Sequence, residues 1–232
     1  MMENKGIYII GDVHGCLKTL KALIKKIPKG GRVVLTGDLI DRGPNSRGVV
    51  QYIIDNEYLC VLGNHEDFML DGRRSYRDWM RNGGYETLES YGFKDADYEP
   101  NNEKNLKLLK YKRILAHRDW MGKLPIYLLF DDIVNEKGEK LLVSHSSASK
   151  AWVMDEEERK NSYSYFKDLI IWGRDYSPTP IPGIYNVFGH TPVEKVVSKS
   201  GCSFIDTGAV FKNKLTALHF PSMETIVQDF ID

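Results

Sequence analysis

The chain has 232 residues, 42% of them hydrophobic, enough to enclose one large core or two small ones. Basic and acidic residues number 32 each, so the formal net charge is zero and no long-range field marks the chain for a nucleic-acid polymer or a membrane surface. Any anion it binds must be met by a local site. The three cysteines, Cys16, Cys60 and Cys202, are far apart and form no CxxC pair, which argues against a disulfide framework or a thiolate zinc site. The N-terminal MMENKGIYII lacks the long apolar core of a signal peptide, and the expected setting is reduced and cytoplasmic.

In chain order, the apolar run Ile7 to Ile10 predicts a buried strand. Leu17, Leu20, Leu23, Ile24 and Ile27 fall at helical spacing, and Pro28, Gly30 and Gly31 end that helix. Val33 to Leu35 predicts a second strand, Val49 to Ile54 a helix, Leu59 to Leu62 a third strand, and Glu66 to Arg81 another helix. This alternation argues for parallel strands with helices outside. Asn82 to Lys123 is polar and tyrosine-rich and reads as mostly helical, lying over one edge of the sheet. The spacing of Trp79, Tyr85 and Tyr91 suits core packing, and Lys110, Lys112 and Arg113 suit a solvated face. Short β-rich runs follow at Ile126 to Phe130, Leu141 to Ser144, Val187 to Phe188, Ser203 to Asp206, Leu215 to Leu218 and Thr225 to Val227, with one helical piece over Glu156 to Ile171. Pro178, Pro180 and Pro182 mark a stiff loop. The elements together read as the α/β (α+β) class.

The chemistry collects where apolar runs stop. GDVHG follows the first strand, TGDLIDRGPNS the second and GNHED the third; SHSS and FGHT come later. The carboxyl ends of parallel strands share one side of a sheet, so Asp12, His14, Asp38, Asn64, His145 and His190 are placed to converge. Imidazole, carboxylate and amide oxygen together suit divalent Mn, Fe or Zn. Two ions fit this donor set if one carboxylate bridges, and Asp38, from the middle strand, is the expected bridge. His117 and His219 lack ligand-type neighbours and read as structural; Cys16 reads as a small residue in a first helical turn.

The ordered set GDVHG, GDLIDRG and GNHE resembles the signature of the phosphoprotein phosphatase family of binuclear metallophosphoesterases. NGGYETLESYG and the compact length resemble its bacterial and bacteriophage lambda-type members. That resemblance implies a single domain over 1–232, a central β-sandwich of mixed sheets flanked by helices, with the site at the strand ends. It implies that Asp12, His14 and Asp38 hold one metal with His190, while Asp38, Asn64 and His145 hold the second. Mn is the expected metal, with Fe and Zn as alternatives. Where the family often has His-Ala-Gly, this chain has His145-Ser146-Ser147, which places hydroxyls beside a ligand.

The expected chemistry is direct attack on phosphorus by a metal-activated hydroxide, without a phosphoenzyme. His65, beside Asn64, would be the general acid, and Asp41 would orient it. Arg42 suits the phosphate oxygens with its planar fork, Arg174 in IWGRD is the second arginine by resemblance, and Asn64 also faces substrate. The leading expectation is a phosphomonoesterase acting on phosphoserine, phosphothreonine or phosphotyrosine in proteins. The alternative is a diadenosine tetraphosphate hydrolase with the same metals, marked by a base-stacking pocket built from aromatics between Trp79 and Trp120. Expected partners are therefore phosphorylated proteins, small phosphorylated molecules or nucleotides.

Overall fold

Ile7–Ile10 (β1) is buried along its length, and its side chains alternate between two cores. Ile7 and Ile9 enter one cluster with Val34, Val61, Leu141, Val143, Val187 and Ile205. Tyr8 and Ile10 enter another with Val33, Leu35, Leu20, Leu23, Val49, Val50 and Ile53. The two-residue period of a strand thus makes β1 the wall between a sheet–sheet core and a sheet–helix core. A side chain of this size, once fully buried, contributes roughly 1.5–3 kcal/mol.

The computed structural model describes residues 6–70, 76–93 and 112–232. The strands are β1, β2 (Arg32–Leu35), β3 (Leu59–Cys60), β4 (Tyr127–Val134), β5 (Lys140–Ser144), β6 (Ile184–Phe188), β7 (Val197–Lys199), β8 (Cys202–Phe204), β9 (Lys214–Phe220) and β10 (Thr225–Asp229). One five-stranded sheet runs β10-β9-β1-β2-β3 and the other β4-β5-β6-β8-β7. In the first, β1, β2 and β3 are parallel and β9 runs against β1. In the second, β5, β6 and β8 are parallel, with β4 and β7 antiparallel at its edges. Helices α1 (Leu17–Lys26) and α2 (Ser46–Asp55) cover the outer face of the first sheet. Helix Tyr163–Trp172 covers the second, packing Phe166, Ile170 and Ile171 against Leu142. The two mixed sheets with flanking helices are the sandwich that the sequence implied.

The differences have local causes. The helix expected over Glu156 to Ile171 is two helices, Glu156–Asn161 and Tyr163–Trp172, broken at Ser162 (φ −118°, ψ 39°). Asn161 and Ser162 are residues whose side chains compete with helical hydrogen bonding. β7 carries no apolar alternation and two of its three residues are exposed, so nothing in its pattern announced an edge strand. The helix expected from Glu66 begins at Asn64 and reaches Leu70 as α3; further on come Tyr76–Trp79, a π-helical turn Met80–Gly84 and Tyr85–Ser90. Of the expected helical stretch 82–123, residues 94–111, including Lys110, lie outside the described residues. Lys112–Met121 is helical, with Lys112 and Arg113 exposed. Trp79 is buried, but Tyr85 is 41% exposed and is not core. No helix among the described residues is long and apolar enough to cross a membrane.

Candidate metal centre and phosphate site

Six parallel strands, three from each sheet, end on the same side, and their following loops meet there. Asp12 follows β1, Asp38 follows β2, Asn64 lies four residues past β3, His145 follows β5, His190 lies two past β6 and Asp206 two past β8. All six are buried, as are His14 and His65. The loops are strained: His14 (φ 43°), Asp38 (49°), Asp41 (72°), Arg42 (66°) and His190 (62°) lie in the left-handed region. Each such residue costs of order 1–3 kcal/mol and persists only where its surroundings over-determine it. Gly189 is required by proximity, since a Cβ there would fall on the Asp12 carboxylate.

Asp38 is the hub. Its Oδ2 lies 3.4 Å from His14 Nε2 and its Oδ1 lies 3.3 Å from His145 Nε2, so the two oxygens face two different histidine groups. His14 donates its Nδ1–H to the Ile40 carbonyl at 2.8 Å, and His145 donates its Nδ1–H to the Thr36 carbonyl at 2.7 Å. Each therefore turns an unprotonated Nε2 inward, the tautomer that a ligating histidine needs. His145 Nε2 also lies 2.8 Å from Asn64 Oδ1 and 3.1 Å from His190 Nδ1, and His190 Nδ1 lies 2.8 Å from Asn64 Oδ1. Asp38 Oδ1 accepts from the His65 backbone N–H at 3.0 Å, but Asn64 Oδ1 and His145 Nε2 crowd together with at most one shared proton from His190. Buried acceptors without donors are costly, and a cation resolves the mismatch. The residues present fit a divalent metal.

The His190 ring sits with Asn64 and His145, not with His14 as the resemblance implied. Asp12 instead meets the backbone N–H of His190, which donates to its carboxylate at 3.0 Å and 3.2 Å. Thr36 Oγ1 donates to Asp12 Oδ1 at 3.1 Å.

The four inner histidines divide electrostatically. Burial lowers the pKa of His14, His145 and His190, the last to about 3, which keeps their lone pairs available. Burial opposes protonation of His65 too, but Asp38 and the Asp41 hydrogen bond outweigh it and raise its pKa. Asp38 would be raised by burial, yet the surrounding histidines, His145 foremost, hold its carboxyl well below the usual range. Asp41 Oδ2 accepts from His65 Nδ1 at 2.6 Å, leaving His65 Nε2 3.9 Å from Asp38 Oδ2. Asp41 is itself fixed by Thr87 Oγ1, donating at 2.6 Å, and Trp79 Nε1, donating at 3.0 Å. The NGGYETLESYG segment thus buttresses the Asp41–His65 pair.

Arg42 is half-buried, and its Nη1 donates to His14 Nε2 at 2.8 Å. Arg174 is exposed, and its charge adds to the lowering of His190. A surface pair between Arg174 and Asp175 is not formed among the described residues: Asp175 accepts instead from Ser149 Oγ at 2.8 Å and from the Ser177 N–H at 3.1 Å. The hydroxyls of the SHSS segment face away from the candidate metal site. Ser146 Oγ donates to the Leu169 and Ile170 carbonyls at 3.0 and 2.8 Å, tying the His145 loop to helix Tyr163–Trp172.

Two site residues escaped the sequence reading. Glu66 is fully buried and accepts from the N–H groups of Asp38, Leu39, Ile40 and Gly63 at 2.8–3.3 Å. Burial, then the charge of Asp38, push its pKa up to about 7. Asp206, at the end of β8, is paired with Asp12, and burial pushes its pKa up to about 6. It ends an apolar run as the other site residues do, but has no histidine beside it to draw attention.

Comparison with known proteins follows the same line. The calcineurin-like phosphoesterase family model matches residues 6–208. The bis(5'-nucleosyl)-tetraphosphatase PrpE [asymmetrical] of Anoxybacillus flavithermus is 27% identical, over 94% of this chain and 91% of its own. The protein of the same name from Bacillus thuringiensis is 26% identical, over 94% and 92%. Among solved structures, a candidate diadenosine tetraphosphatase superposes with a TM-score of 0.58 at 17% identity, covering 100% of this chain and 97% of its own. A protein serine/threonine phosphatase from Saccharomyces cerevisiae reaches 0.58 at 12% identity, covering 97% and 79%. At those identities the solved structures establish the fold alone. With two facing sheets, a histidine–aspartate cluster at their strand ends and a family match over most of its length, the chain belongs to the calcineurin-like phosphoesterases.

Proposed function

We propose that this chain is a metal-dependent hydrolase of dinucleoside polyphosphates, the alternative raised by its sequence, and that a phosphoprotein is the lesser substrate. The observation that carries the hydrolase reading is Asp38, whose two carboxylate oxygens face separate histidine groups at 3.4 and 3.3 Å. The substrate class is favoured by relatives of 26–27% identity, matched over nearly their full length, that are named for dinucleoside tetraphosphates. The serine/threonine phosphatase expected first from sequence has in its favour a structural likeness at 12% identity.

Asp12, His14 and Asp38 would hold one divalent ion; Asp38, Asn64, His145 and His190 would hold the second. Mn is the expected ion for this mixed donor set, with Fe and Zn as alternatives. Two such ions, when bound, supply an activated water and offset phosphate charge. The chain's own residues do the rest. Arg42 and Arg174 grip the non-bridging oxygens, and the Asn64 amide borders the same space. Asp41 accepts the His65 Nδ1–H at 2.6 Å, and the charges of Asp38 and Asp41 favour the doubly protonated ring, which carries its second proton at Nε2. His65 gives that proton to the departing oxygen, so its weight grows with the basicity of the leaving group.

The test is one panel: diadenosine tetraphosphate, a phosphothreonine peptide, a phosphotyrosine peptide and nitrophenyl phosphate, with Mn added or chelated. The expected outcome is Mn-dependent turnover with the highest kcat/KM on the dinucleotide and unequal nucleotide products. A phosphopeptide preferred over the dinucleotide would overturn the substrate class.

A further inference from the structure

We propose that Phe211 is a stacking platform for a nucleobase of the substrate, set beside the phosphate-gripping Arg42; this rests on the dinucleotide reading above. The Arg42 guanidinium carbon lies 5.8 Å from the Phe211 ring centroid. The ring is 61% exposed, although its neighbour Ala209 is buried and Val210 packs on the core. A turn that buries two apolar residues and holds the third in water is oriented, not merely short of core to enter.

The turn is also built to stay put. Ala209–Phe211 is a 3₁₀ turn flanked by left-handed residues, Gly208 (φ 70°) and Lys212 (φ 63°). The Phe211 N–H donates to Gly208 O at 3.0 Å, and the Lys212 N–H to Ala209 O at 3.0 Å. Asn213 Nδ2 donates to Thr207 O at 2.9 Å, and the Gly208 N–H donates to Asp206 Oδ1 at 3.0 Å. The turn therefore grows directly from the strand end that brings Asp206 to Asp12. A planar cation and an adjacent aromatic face match a phosphate with a base attached: the guanidinium meets the phosphate and the phenyl ring meets the base. A phosphoserine or phosphothreonine side chain carries no π face of its own. Of the aromatics earlier expected to form such a pocket, Trp79 is engaged with Asp41 and Tyr91 with His117 at 2.6 Å, while Tyr98 and Tyr111 lie outside the described residues.

The experiment compares inhibition constants of AMP and inorganic phosphate against nitrophenyl phosphate turnover by the Mn-loaded enzyme, in wild type, Phe211→Ala and Phe211→Tyr. Taking the ratio of the two constants cancels general damage to the site. The expected result is an AMP constant that worsens about tenfold relative to phosphate in Phe211→Ala, the loss of one base–aromatic stack. In Phe211→Tyr the ratio returns to within about twofold of wild type, and the KM for diadenosine tetraphosphate follows the same order. A ratio unmoved by Phe211→Ala overturns the platform. Failure of the wild-type enzyme to cleave diadenosine tetraphosphate overturns the substrate reading instead, and the inhibition ratio still judges Phe211.

Discussion

The two sheets deliver site residues from equivalent places, the ends of three parallel strands, but hold them differently. At the first sheet, the loops after β1 and β2 are fixed by charge. The His14 and Val13 N–H groups donate to the Asp38 carbonyl at 2.8 and 3.1 Å, and the Glu66 carboxylate gathers four backbone N–H groups beneath Asp38. At the second sheet, neutral groups do the holding: Ser146 ties the His145 loop to a helix, and Asn186 accepts from Ala148 N at 2.9 Å and donates to Ser144 Oγ at 2.9 Å. The difference follows from the work at each end. The first sheet carries four of the five left-handed site residues, together with Asp38 and the Asp41–His65 pair, so it needs the stronger clamp. The second presents His145 and His190, with Asp206 turned to Asp12.

This asymmetry breaks first at Glu66. Glu66→Ala strands four buried donors at about 1–3 kcal/mol each. Denaturant melts are expected to report several kcal/mol of lost stability, and activity on any phosphate ester is expected to fall below detection. A variant that folds and turns over normally would make the clamp ornamental.

His65→Asn separates acid from clamp. Its metal content is expected to stay at the wild-type value. Turnover of an alkyl phosphate is expected to drop by about 10²–10⁴, and turnover of nitrophenyl phosphate much less, because that leaving group scarcely needs a proton. Equal defects on both esters would remove His65 from the acid role.

Ser146→Ala removes the hydroxyl tie on the other sheet. The expected cost is about 1 kcal/mol per hydrogen bond lost, read as a lower Tm, with kcat within about threefold of wild type. A larger effect than that of Glu66→Ala would invert the comparison.

The smallest effect lies behind the first sheet, at His117. It is buried on the Lys112–Met121 helix, with Nδ1 2.6 Å from the Tyr91 hydroxyl and Nε2 3.1 Å from Gln51 Oε1. Burial, then Arg113 and Arg47, lower its pKa from the ordinary 6.5 to about 4. Between those values the unfolded chain binds the extra proton and the folded one does not, so stability rises with pH across that window and is lost on acidification through it. A series of Tm values from pH 7 to pH 4 is expected to slope downward in wild type and less steeply in His117→Gln, where the buried His14, His145 and His190 keep the remaining slope.

Much of the site was legible because its signals are local. An apolar run that stops in Asp, Asn or His beside glycine marks both the strand and what stands at its end, and the structure brings Asp12, His14, Asp38, Asn64, His145 and His190 to one side of the molecule. Other features depend on where distant segments meet. Glu66 sits inside GNHED, but its partners are backbone N–H groups of the preceding loop. His190 faces Asn64 through its ring and Asp12 through its backbone, a division set by φ 62° and invisible in FGHT. Phe211 follows a run that reads as ordinary core, and only the turn geometry turns its ring outward.

The most direct test of the central claim is the divalent-metal content of the purified, Mn-loaded chain, measured by elemental analysis beside Asp38→Ala. The account predicts two ions per wild-type chain and loss of both in the variant, since one carboxylate serves both groups of ligands. Two ions retained by Asp38→Ala, or none held by the wild-type chain, would contradict it.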